Sequence, residues 1–525
     1  MPPVTILHTS LNITPLVRIR FGQGGIVLPK KLPIFYSALL LTGVNLLLRL
    51  VSTSFQVFLS GRIGAAGIGL LQLVLSVGAL SMTAGMAGVR TATMYLTAEE
   101  LGKKRPQNVT WVLSGCVVYC ILCSGGISLA LRLFAPVLAQ EWIGDMRTVE
   151  SIRLFSCFIP VNCLCGVMIG YFTAANRIGT LAAVEVVEQL VSMTITMTAL
   201  TLWAGNDPAK ACQSVILGGG ISGCLTLGCL TVLRLLERPS AGSPIPMRSR
   251  LLHMAVPLAL ADDLKAGIST TENLMVPKRL ALFPGTDDPL AAFGTVCGMV
   301  FPILMFPAAI LFGLAELLIP ELARCAAAGS QKRIRYLAGR SLRVALIYGC
   351  VFAGLEFLLA DALCMALYKS PEAGRYLRLY ALLIPMLYCD AITDAMTKGL
   401  GQQKACVRYN IITSAMDVIF LFLLLPRYGM MGYFFSFLAT HLLNFILSLR
   451  RLLKIVGNVM PPYIPLAALG GTAGGVWICS HIYAPLGRGL LFLPVLLSIL
   501  YLLRIVGHED LRWLKNLIKK ADPTV

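Results

Sequence analysis

The sequence is a succession of apolar runs of about 20 to 27 residues, separated by short stretches rich in charge, glycine and proline. A helical run of this length crosses the ~30 Å hydrocarbon layer of a bilayer, and it is too long for a strand of a membrane barrel. Backbone polar groups in lipid must be satisfied internally, so each run predicts a transmembrane helix. A soluble fold is excluded, because 13% of the residues are charged against about 25% in soluble domains.

Breaking the chain at these stretches gives fourteen candidate spans. We therefore predict an all-α integral membrane protein with about fourteen transmembrane helices. The approximate limits of the spans are 34–58, 68–95, 109–134, 149–172, 180–203, 211–236, 251–274, 289–315, 339–363, 373–397, 404–425, 430–450, 463–483 and 487–506.

Most of the 44 Lys and Arg residues lie in alternate connections, for example at Lys103, Arg248 and Lys332. The positive-inside rule assigns these connections to the cytoplasm, and an even number of spans places both termini there as well. The net charge of +19 is thereby explained by membrane orientation. We expect no nucleic-acid partner.

An internal repeat divides the spans into two sets of six. Ala66-Gly67-Ile68-Gly69 before span two recurs as Ala291-Ala292-Phe293-Gly294 before span eight. Asn176-Arg177 between spans four and five has its counterpart in Gln402-Gln403 between spans ten and eleven. An even number of spans per repeat gives both copies the same orientation, with the symmetry axis along the membrane normal.

We therefore predict two lobes joined by a proline-bearing cytoplasmic linker. The predicted segments are a cytoplasmic lead-in at 1–33, the N-lobe at 34–236, the linker at 237–250, the C-lobe at 251–450, spans thirteen and fourteen within 451–506, and an amphipathic cytoplasmic tail at 507–525.

Charged side chains inside spans are the informative positions, because an ion facing lipid at the bilayer centre costs roughly 2.5–3.5 kcal/mol. Three spans carry such charges within polar stripes at helical spacing. The stripes are Asn45, Arg49, Ser52 and Gln56 on span one, Gln72, Ser76, Thr83 and Arg90 on span two, and Asp262, Lys265, Ser269 and Glu272 on span seven.

We expect these stripes to face a water-filled cavity, with Arg49, Arg90 and Lys265 as candidate ligands for an anionic group. The alternative is that the cations form ion pairs inside the bundle, for example with Asp262 or Glu272.

Three further carboxylates, Asp390, Asp394 and Asp417, lie within spans ten and eleven. Oxygen ligands on facing helices suit Na⁺ or H⁺, so the spacing permits a coupling-ion site, although a packed polar contact fits equally well. The five histidines are scattered, and no phosphate-cradling loop or nucleophile motif is present. We predict no metal, no cofactor and no enzymatic activity.

Together, these segments resemble the multidrug/oligosaccharidyl-lipid/polysaccharide exporter superfamily, and within it the branch of stage V sporulation protein B and related polysaccharide flippases. The resemblance covers nearly the whole chain. Its most recognisable parts, in order, are Gly64–Leu73 (GAAGIGLLQL), Val276–Leu280 (VPKRL) and Gly399–Lys404 (GLGQQK).

The resemblance implies two six-helix lobes around a V-shaped central cavity, with alternating access. The implied activity is the flipping of an undecaprenyl-pyrophosphate-linked saccharide, such as lipid II, a spore-cortex precursor or a polysaccharide unit, to the outer leaflet of the bacterial plasma membrane. Related lipid II flippases require cavity arginines on the early helices and on span seven, and the matching residues here are Arg49, Arg90 and Lys265. Spans thirteen and fourteen are implied to line a groove for the lipid tail. The expected partners are the polyprenyl-linked saccharide lipid, membrane lipids and envelope-synthesis proteins.

Two other functions stay open. A cation-coupled multidrug exporter of the same superfamily needs an acid on its first helix, whereas span one carries Arg49 and no acid. A scaffold that organises envelope-synthesis enzymes without transporting anything would not depend on the cavity cations.

Overall fold

The computed structural model describes residues 21–22, 25–26, 34–103, 105–205, 207–237 and 247–505. Most of the predicted lead-in, most of the predicted linker and all of the predicted tail lie outside these residues.

Within the described residues the protein is helical apart from two two-residue strands, Phe21–Gly22 (β1) and Gly25–Ile26 (β2), which pair antiparallel. The helices are α1 Ile34–Met86, α2 Val89–Gly102, α3 Val109–Val137, α4 Val149–Ala174, α5 Ile178–Ala199, α6 Pro208–Leu236, α7 Met247–Leu280, α8 Pro289–Thr295, α9 Phe301–Leu304, α10 Ala308–Ala327, α11 Gln331–Tyr368, α12 Pro371–Ala381, α13 Ile384–Gly399, α14 Gln403–Tyr428, α15 Met430–Val456, α16 Tyr463–Ser480 and α17 Pro485–Leu502. Single-turn 3₁₀ segments lie at Pro106–Asn108 and Met146–Thr148, and short π-helical segments lie at Leu138–Ile143, Leu200–Ala204 and Val296–Val300.

Ten helices in the described part of the chain are long and apolar enough to cross a membrane, or up to twelve when each of two bent pairs forms one span. Two further features make this number consistent with the predicted fourteen. The 53-residue helix α1 is broken at Gly64, whose φ is 68°, and at 1.5 Å per residue an unbroken helix of that length is far longer than the hydrocarbon layer. Helix α7, with 34 residues, is long enough to span but carries too many charges to pass a hydropathy criterion.

Two predicted spans are bent in the structure. The eighth begins with α8 and continues, after a bend of 63°, into α10, which reaches Ala327 beyond the predicted limit of 315. The tenth bends by 56° between α12 and α13. Pro307 lies at the first bend and Pro385 in the first turn of α13. Proline lacks the N–H that continues a helix, which accounts for breaks at these positions.

The packing brings the two predicted repeats into direct contact. A Cβ at Gly69 would meet the carbonyl oxygen of Leu290, and a Cβ at Gly294 would meet that of Ala65. The contact is reciprocal, as in an interface with a two-fold axis. The same two segments that indicated the repeat in the sequence therefore form a close backbone contact, which we call the glycine seam (Ala65–Gly69 with Leu290–Gly294).

Helix α7 packs on both sides of this arrangement, because it contacts α1 and α2 of the first repeat and α14 of the second. Helices α16 and α17 pair with each other and lie against α11. Phe492 of α17 is fully buried against Gly354 of α11.

Candidate functional site

The polar stripe of span one continues into the contact between the repeats. Gln56 of α1 donates a hydrogen bond from its Nε2 to the carbonyl oxygen of Gly298, at 3.1 Å. Ser52 is half-buried on the same helix. The backbone of Asn45 lies in α1, but its side chain is outside the described atoms.

Span two meets span seven through Ser76 of α1. Thr270 of α7 donates to the backbone oxygen of Ser76 at 3.1 Å, and the Nδ2 of Asn273 donates to its hydroxyl at 3.0 Å. The hydroxyl of Ser76 donates in turn to the backbone oxygen of Gln72, whose side chain is half-buried. These bonds fix the rotation of α7 about its own axis.

Given that rotation, the predicted stripe of α7 emerges on an open face. Asp262, Lys265 and Ser269 are exposed, and Glu272 is half-buried. Glu272 lies near enough to Asp417 of α14 for their charges to interact. The stripe thus runs from an open surface at Asp262 towards the carboxylate of the second repeat.

The three candidate cations lie on three different helices. Arg49 of α1 is half-buried, whereas Arg90 of α2 and Lys265 of α7 are exposed. No described carboxylate forms an ion pair with any of them. The predicted alternative, in which they pair with Asp262 or Glu272, is therefore not found in the described part of the chain. No described contact joins the three cations to one another.

The face of α7 opposite the stripe lines a groove of about 780 Å³. The groove lies between α7, the end of α3 and α14, and its walls are mostly apolar, for example Leu264, Ile268 and Val418. Two cations at one end of α7, Lys278 and Arg279, also line the groove. Lys278 donates to the backbone oxygen of Glu141, and Arg279 lies over the ring of Phe422 at 3.7 Å from the ring centre.

The predicted coupling-ion residues fall into two places. Asp417 accepts hydrogen bonds on Oδ1 from Ser436 at 2.5 Å and from Thr440 at 3.2 Å. Asp390 accepts from the Nδ2 of Asn444 at 3.1 Å, and Asp394 pairs with Lys398 at 2.6 Å.

Asp390 and Asp394 line a cavity of about 170 Å³ inside the second repeat. Asn410, His441 and Asn444 complete its polar lining. Two carboxylates and two amides are oxygen donors of the kind that Na⁺ accepts. Among the described residues, no group of three or more His, Cys, Asp or Glu is arranged to hold a metal ion.

Three residues of α15 that donate to these carboxylates, Ser436, Thr440 and Asn444, were not predicted from the sequence. Ser436, Thr440, Asn444 and Ser448 follow each other at intervals of four and are all buried. That spacing was a readable signal of a polar face in span twelve. Glu356 of α11 is also buried, and its Oε2 has no partner among the described atoms.

Comparison with known proteins bears on both sequence and fold. The MatE family profile matches residues 283–423. The chain is 21% identical over 475 residues to stage V sporulation protein B of Bacillus subtilis (strain 168), an alignment that covers 86% of this chain and 89% of that protein.

Three solved structures illustrate the likeness in fold. The lipid II flippase MurJ in its inward closed conformation matches with a TM-score of 0.65 and 13% identity, over 89% of this chain and 97% of that one. An inward-facing multidrug resistance MATE family transporter matches with a TM-score of 0.61 and 13% identity, over 82% and 99%. A transporter of the MOP superfamily from Pyrococcus furiosus, described as having a binding pocket of reverse polarity, matches with a TM-score of 0.55 and 14% identity, over 83% and 96%.

The predicted resemblance is therefore confirmed: this multi-pass helical membrane protein has the fold of the multidrug/oligosaccharidyl-lipid/polysaccharide exporter superfamily and is similar in sequence to stage V sporulation protein B.

Proposed function

We propose that the protein is a flippase that moves an undecaprenyl-pyrophosphate-linked saccharide from the inner to the outer leaflet of a bacterial plasma membrane by alternating access. The observation that carries this proposal is the sign of the free charge. Arg49, Arg90 and Lys265 have no carboxylate partner among the described residues. Cations left without an internal counter-ion in a membrane helix bundle suit an anionic substrate.

A pyrophosphate head group needs convergent positive charge, which Arg supplies through paired donors and Lys as a point charge. In this proposal the N-lobe contributes Arg49 and Arg90 and the C-lobe contributes Lys265, so rocking of the lobes carries the head group while its tail stays in lipid. The polar residues Asn45, Ser52, Gln56, Gln72, Asp262, Ser269 and Glu272 line the path. With the basic connections and both termini cytoplasmic, an inside-negative potential favours outward movement by roughly 2.3 kcal/mol per charge per 100 mV.

The likeness in fold to the lipid II flippase MurJ supports a lipid-linked saccharide as the substrate, whereas the likeness to a multidrug resistance MATE family transporter fits the cation-coupled multidrug exporter. The latter needs a negative pocket, and no acid lies on span one. The Pyrococcus furiosus transporter is described as having a pocket of reverse polarity, so the fold accommodates pockets of either sign.

Asp390, Asp394 and Asp417 are proposed as the coupling-ion residues, with Na⁺ or H⁺ as the ion. The cavity that holds Asp390 and Asp394 is small, about 170 Å³, and suits an ion rather than a saccharide. Lipid II flipping that persists without Na⁺ and without a proton gradient, at constant membrane potential, would remove this part of the proposal.

The test is reconstitution of the purified protein in liposomes with labelled lipid II, whose arrival at the outer leaflet is followed with an external enzyme. Arg49→Ala and Lys265→Ala should each lower the initial rate by about tenfold or more, since each removes a charged contact to the pyrophosphate. Arg62→Ala is the matched control. Arg62 lies on the same helix and is exposed. Because it is thirteen residues from Arg49, it lies on another face of the helix, so the flipping rate of Arg62→Ala should equal that of the wild type.

Wild-type rates in Arg49→Ala, Arg90→Ala and Lys265→Ala at equal membrane abundance would overturn the proposal. That outcome fits the non-transporting scaffold, which should instead respond to substitutions in the connections between spans. Uptake of a cationic drug by the same liposomes, with no movement of lipid II, would favour the multidrug exporter.

A further inference from the structure

A second basic site lies away from the candidate transport path, at one end of the helix bundle. It is a cavity of about 660 Å³ between the α13–α14 turn and the end of α15. The residues that line it are Gly401, Gln402, Gln403, Lys404, Ala405, Arg408 and Arg451.

This cavity lies at the end of the bundle where the basic connections gather. The α15 terminus beside it accepts a hydrogen bond at the oxygen of Val456 from Arg335, at 3.2 Å. Arg335 belongs to the group of basic residues that begins at Lys332. In the proposed orientation this is the cytoplasmic surface, level with the phosphate groups of the inner leaflet.

The described residues that line the cavity carry positive charge, and none of them is an acid. Lys404 and Arg408 are one turn apart on α14, and both are exposed. Arg451 of α15 faces them and donates from Nε to the side-chain oxygen of Gln402, at 3.0 Å. No side chain caps the start of α14 among the described residues, so the helix dipole adds to the positive field there.

At the equivalent turn of the first repeat, the protein itself supplies the anion. This turn, between α4 and α5, carries Arg177, which pairs with Glu237 at 2.6 Å. Glu237 follows α6, the counterpart of α15, and also accepts from Arg234 at 2.9 Å and from the hydroxyl of Tyr171 at 2.5 Å. A carboxylate thus sits among the cations at the turn of the first repeat.

In the second repeat the cation Arg451 lies on α15, the counterpart of α6, and its acceptor in the turn is the neutral amide of Gln402, so no carboxylate offsets the positive charge. We propose that the cavity at Lys404, Arg408 and Arg451 binds the phosphate group of an external anion, which supplies the negative charge that Glu237 supplies in the first repeat. The ligand is a phosphate ester, either the head group of an anionic membrane lipid or a soluble phosphate compound. This site is separate from the cations Arg49, Arg90 and Lys265, and its existence does not depend on flipping.

The first experiment measures binding directly. The purified full-length protein is placed in nanodiscs of phosphatidylcholine with or without phosphatidylglycerol, and bound phosphatidylglycerol is counted by native mass spectrometry. A separate titration measures the binding of inorganic phosphate and pyrophosphate in phosphatidylcholine nanodiscs. The variant is Lys404→Gln/Arg408→Gln/Arg451→Gln, and the charge-matched control is Arg105→Gln/Lys332→Gln/Arg450→Gln, whose three residues are exposed at the same end of the bundle.

We expect binding to fall by about tenfold or more in the variant and by less than about twofold in the control, since only the first set surrounds one cavity. Loss of phosphatidylglycerol that inorganic phosphate does not displace identifies a lipid head group. Saturable binding of phosphate or pyrophosphate that the variant loses identifies a soluble ligand. Equal binding of both probes by the variant and the control overturns the proposal.

A second variant tests the comparison between the repeats. Gln402→Glu places a carboxylate beside Arg451 without a change of size, as Glu237 does beside Arg177. It should raise the thermal midpoint and reduce the binding of both probes, because the protein then supplies its own anion. Unchanged binding of both probes by a folded Gln402→Glu protein contradicts the proposal. We expect this variant to flip lipid II at the wild-type rate, because Gln402 is not one of the transport cations.

Discussion

At the scale of single residues, a few hydrogen bonds keep acids inside an apolar bundle. Asp417 is the clearest case, because two hydroxyls of α15, those of Ser436 and Thr440, donate to one of its oxygens. Both hydroxyls belong to buried residues. Asp417 itself is half-buried, and a carboxylate that is partly removed from water and loses a donor bears a desolvation cost.

Ser436→Ala should therefore lower the free energy of unfolding by about 1–3 kcal/mol. The measurement is the thermal midpoint of the purified protein in detergent. Ser498→Ala is the control, because its hydroxyl donates only within its own helix at an exposed position, and we expect its midpoint to match the wild type. Equal midpoints for the two variants would show that Asp417 does not depend on Ser436.

The sequence was sufficient to nominate Asp390, Asp394 and Asp417, since an acid within an apolar run is conspicuous. It was not sufficient to find their donors. Serine and threonine in a membrane helix usually bond to their own backbone, as Thr393 does, and the sequence does not separate these from hydroxyls that serve another helix. Whether Arg49 and Lys265 lie in contact was equally beyond prediction, because it depends on how the repeats are packed.

At the scale of helices and turns, glycines decide where elements end and how closely they approach. Two kinds of requirement can be separated. Gly64 breaks α1 with a φ of 68°, and a Cβ there would meet nothing within 4 Å. Gly294 has ordinary helical backbone geometry, but a Cβ there would collide with the backbone of Ala65. The first residue is needed for conformation and the second for space.

Gly294→Ala should thus be more damaging than Gly64→Ala. At Gly64 the backbone, with φ 68° and ψ −178°, lies in a region adopted almost only by glycine, so another residue costs about 1–3 kcal/mol there. The collision at Gly294 is with backbone that cannot rotate away, so we expect about 3 kcal/mol or more. The thermal midpoints of the two purified variants show which substitution destabilises the protein more. Gly474→Ala in α16 is the control, since it lies in open space and helix propensity favours alanine.

The double variant Gly69→Ala/Gly294→Ala provides a further check. Both glycines belong to the glycine seam, so a single small displacement of one repeat from the other makes room for both methyl groups. The double variant should therefore lose less stability than the sum of the losses in the two single variants. Strict additivity would mean that the two contacts are independent.

At the scale of the whole molecule, the all-helical membrane fold was predictable because hydropathy and backbone satisfaction leave few choices. The bends in spans eight and ten were not predicted. Proline marks a helix that can bend, but neighbouring helices decide whether it does. The ion pairs between α2 and α7 were not predicted either, because Arg250 follows a basic connection and its charge was explained by membrane orientation.

These ion pairs join the two repeats at the end of the bundle that carries the basic connections. Arg250 donates to Glu99 at 2.7 Å and to Glu100 at 3.2 Å. Glu100 is buried and also accepts from Asn108, at 2.9 Å. Gly88, with a φ of 71°, lets α2 approach α7 so closely that a Cβ would lie 2.5 Å from the oxygen of Ala255.

Arg250→Gln should destabilise the protein by about 1–3 kcal/mol, since it leaves Glu100 with one donor. Lys103→Gln is the comparison. It removes a partner only from the exposed Glu99, and a surface pair contributes at most about 1 kcal/mol. The thermal midpoints of Arg250→Gln and Lys103→Gln measure the two losses of stability. A loss in Lys103→Gln as large as that in Arg250→Gln would show that the buried acid is unimportant to this contact.

The two ends of α7 give the molecule a mechanical property. At one end Arg250 holds the helix to α2, and at the other Lys278 holds it to the π-helical segment after α3. Arg279, one residue further along, fastens the same end to α14. Helix α7 is thus held to the first half of the molecule at both of its ends and to the second half at one of them. When the halves move relative to one another, α7 stays with the first half only if Arg279 separates from Phe422, and it stays with α14 only if Arg250 and Lys278 lose their partners.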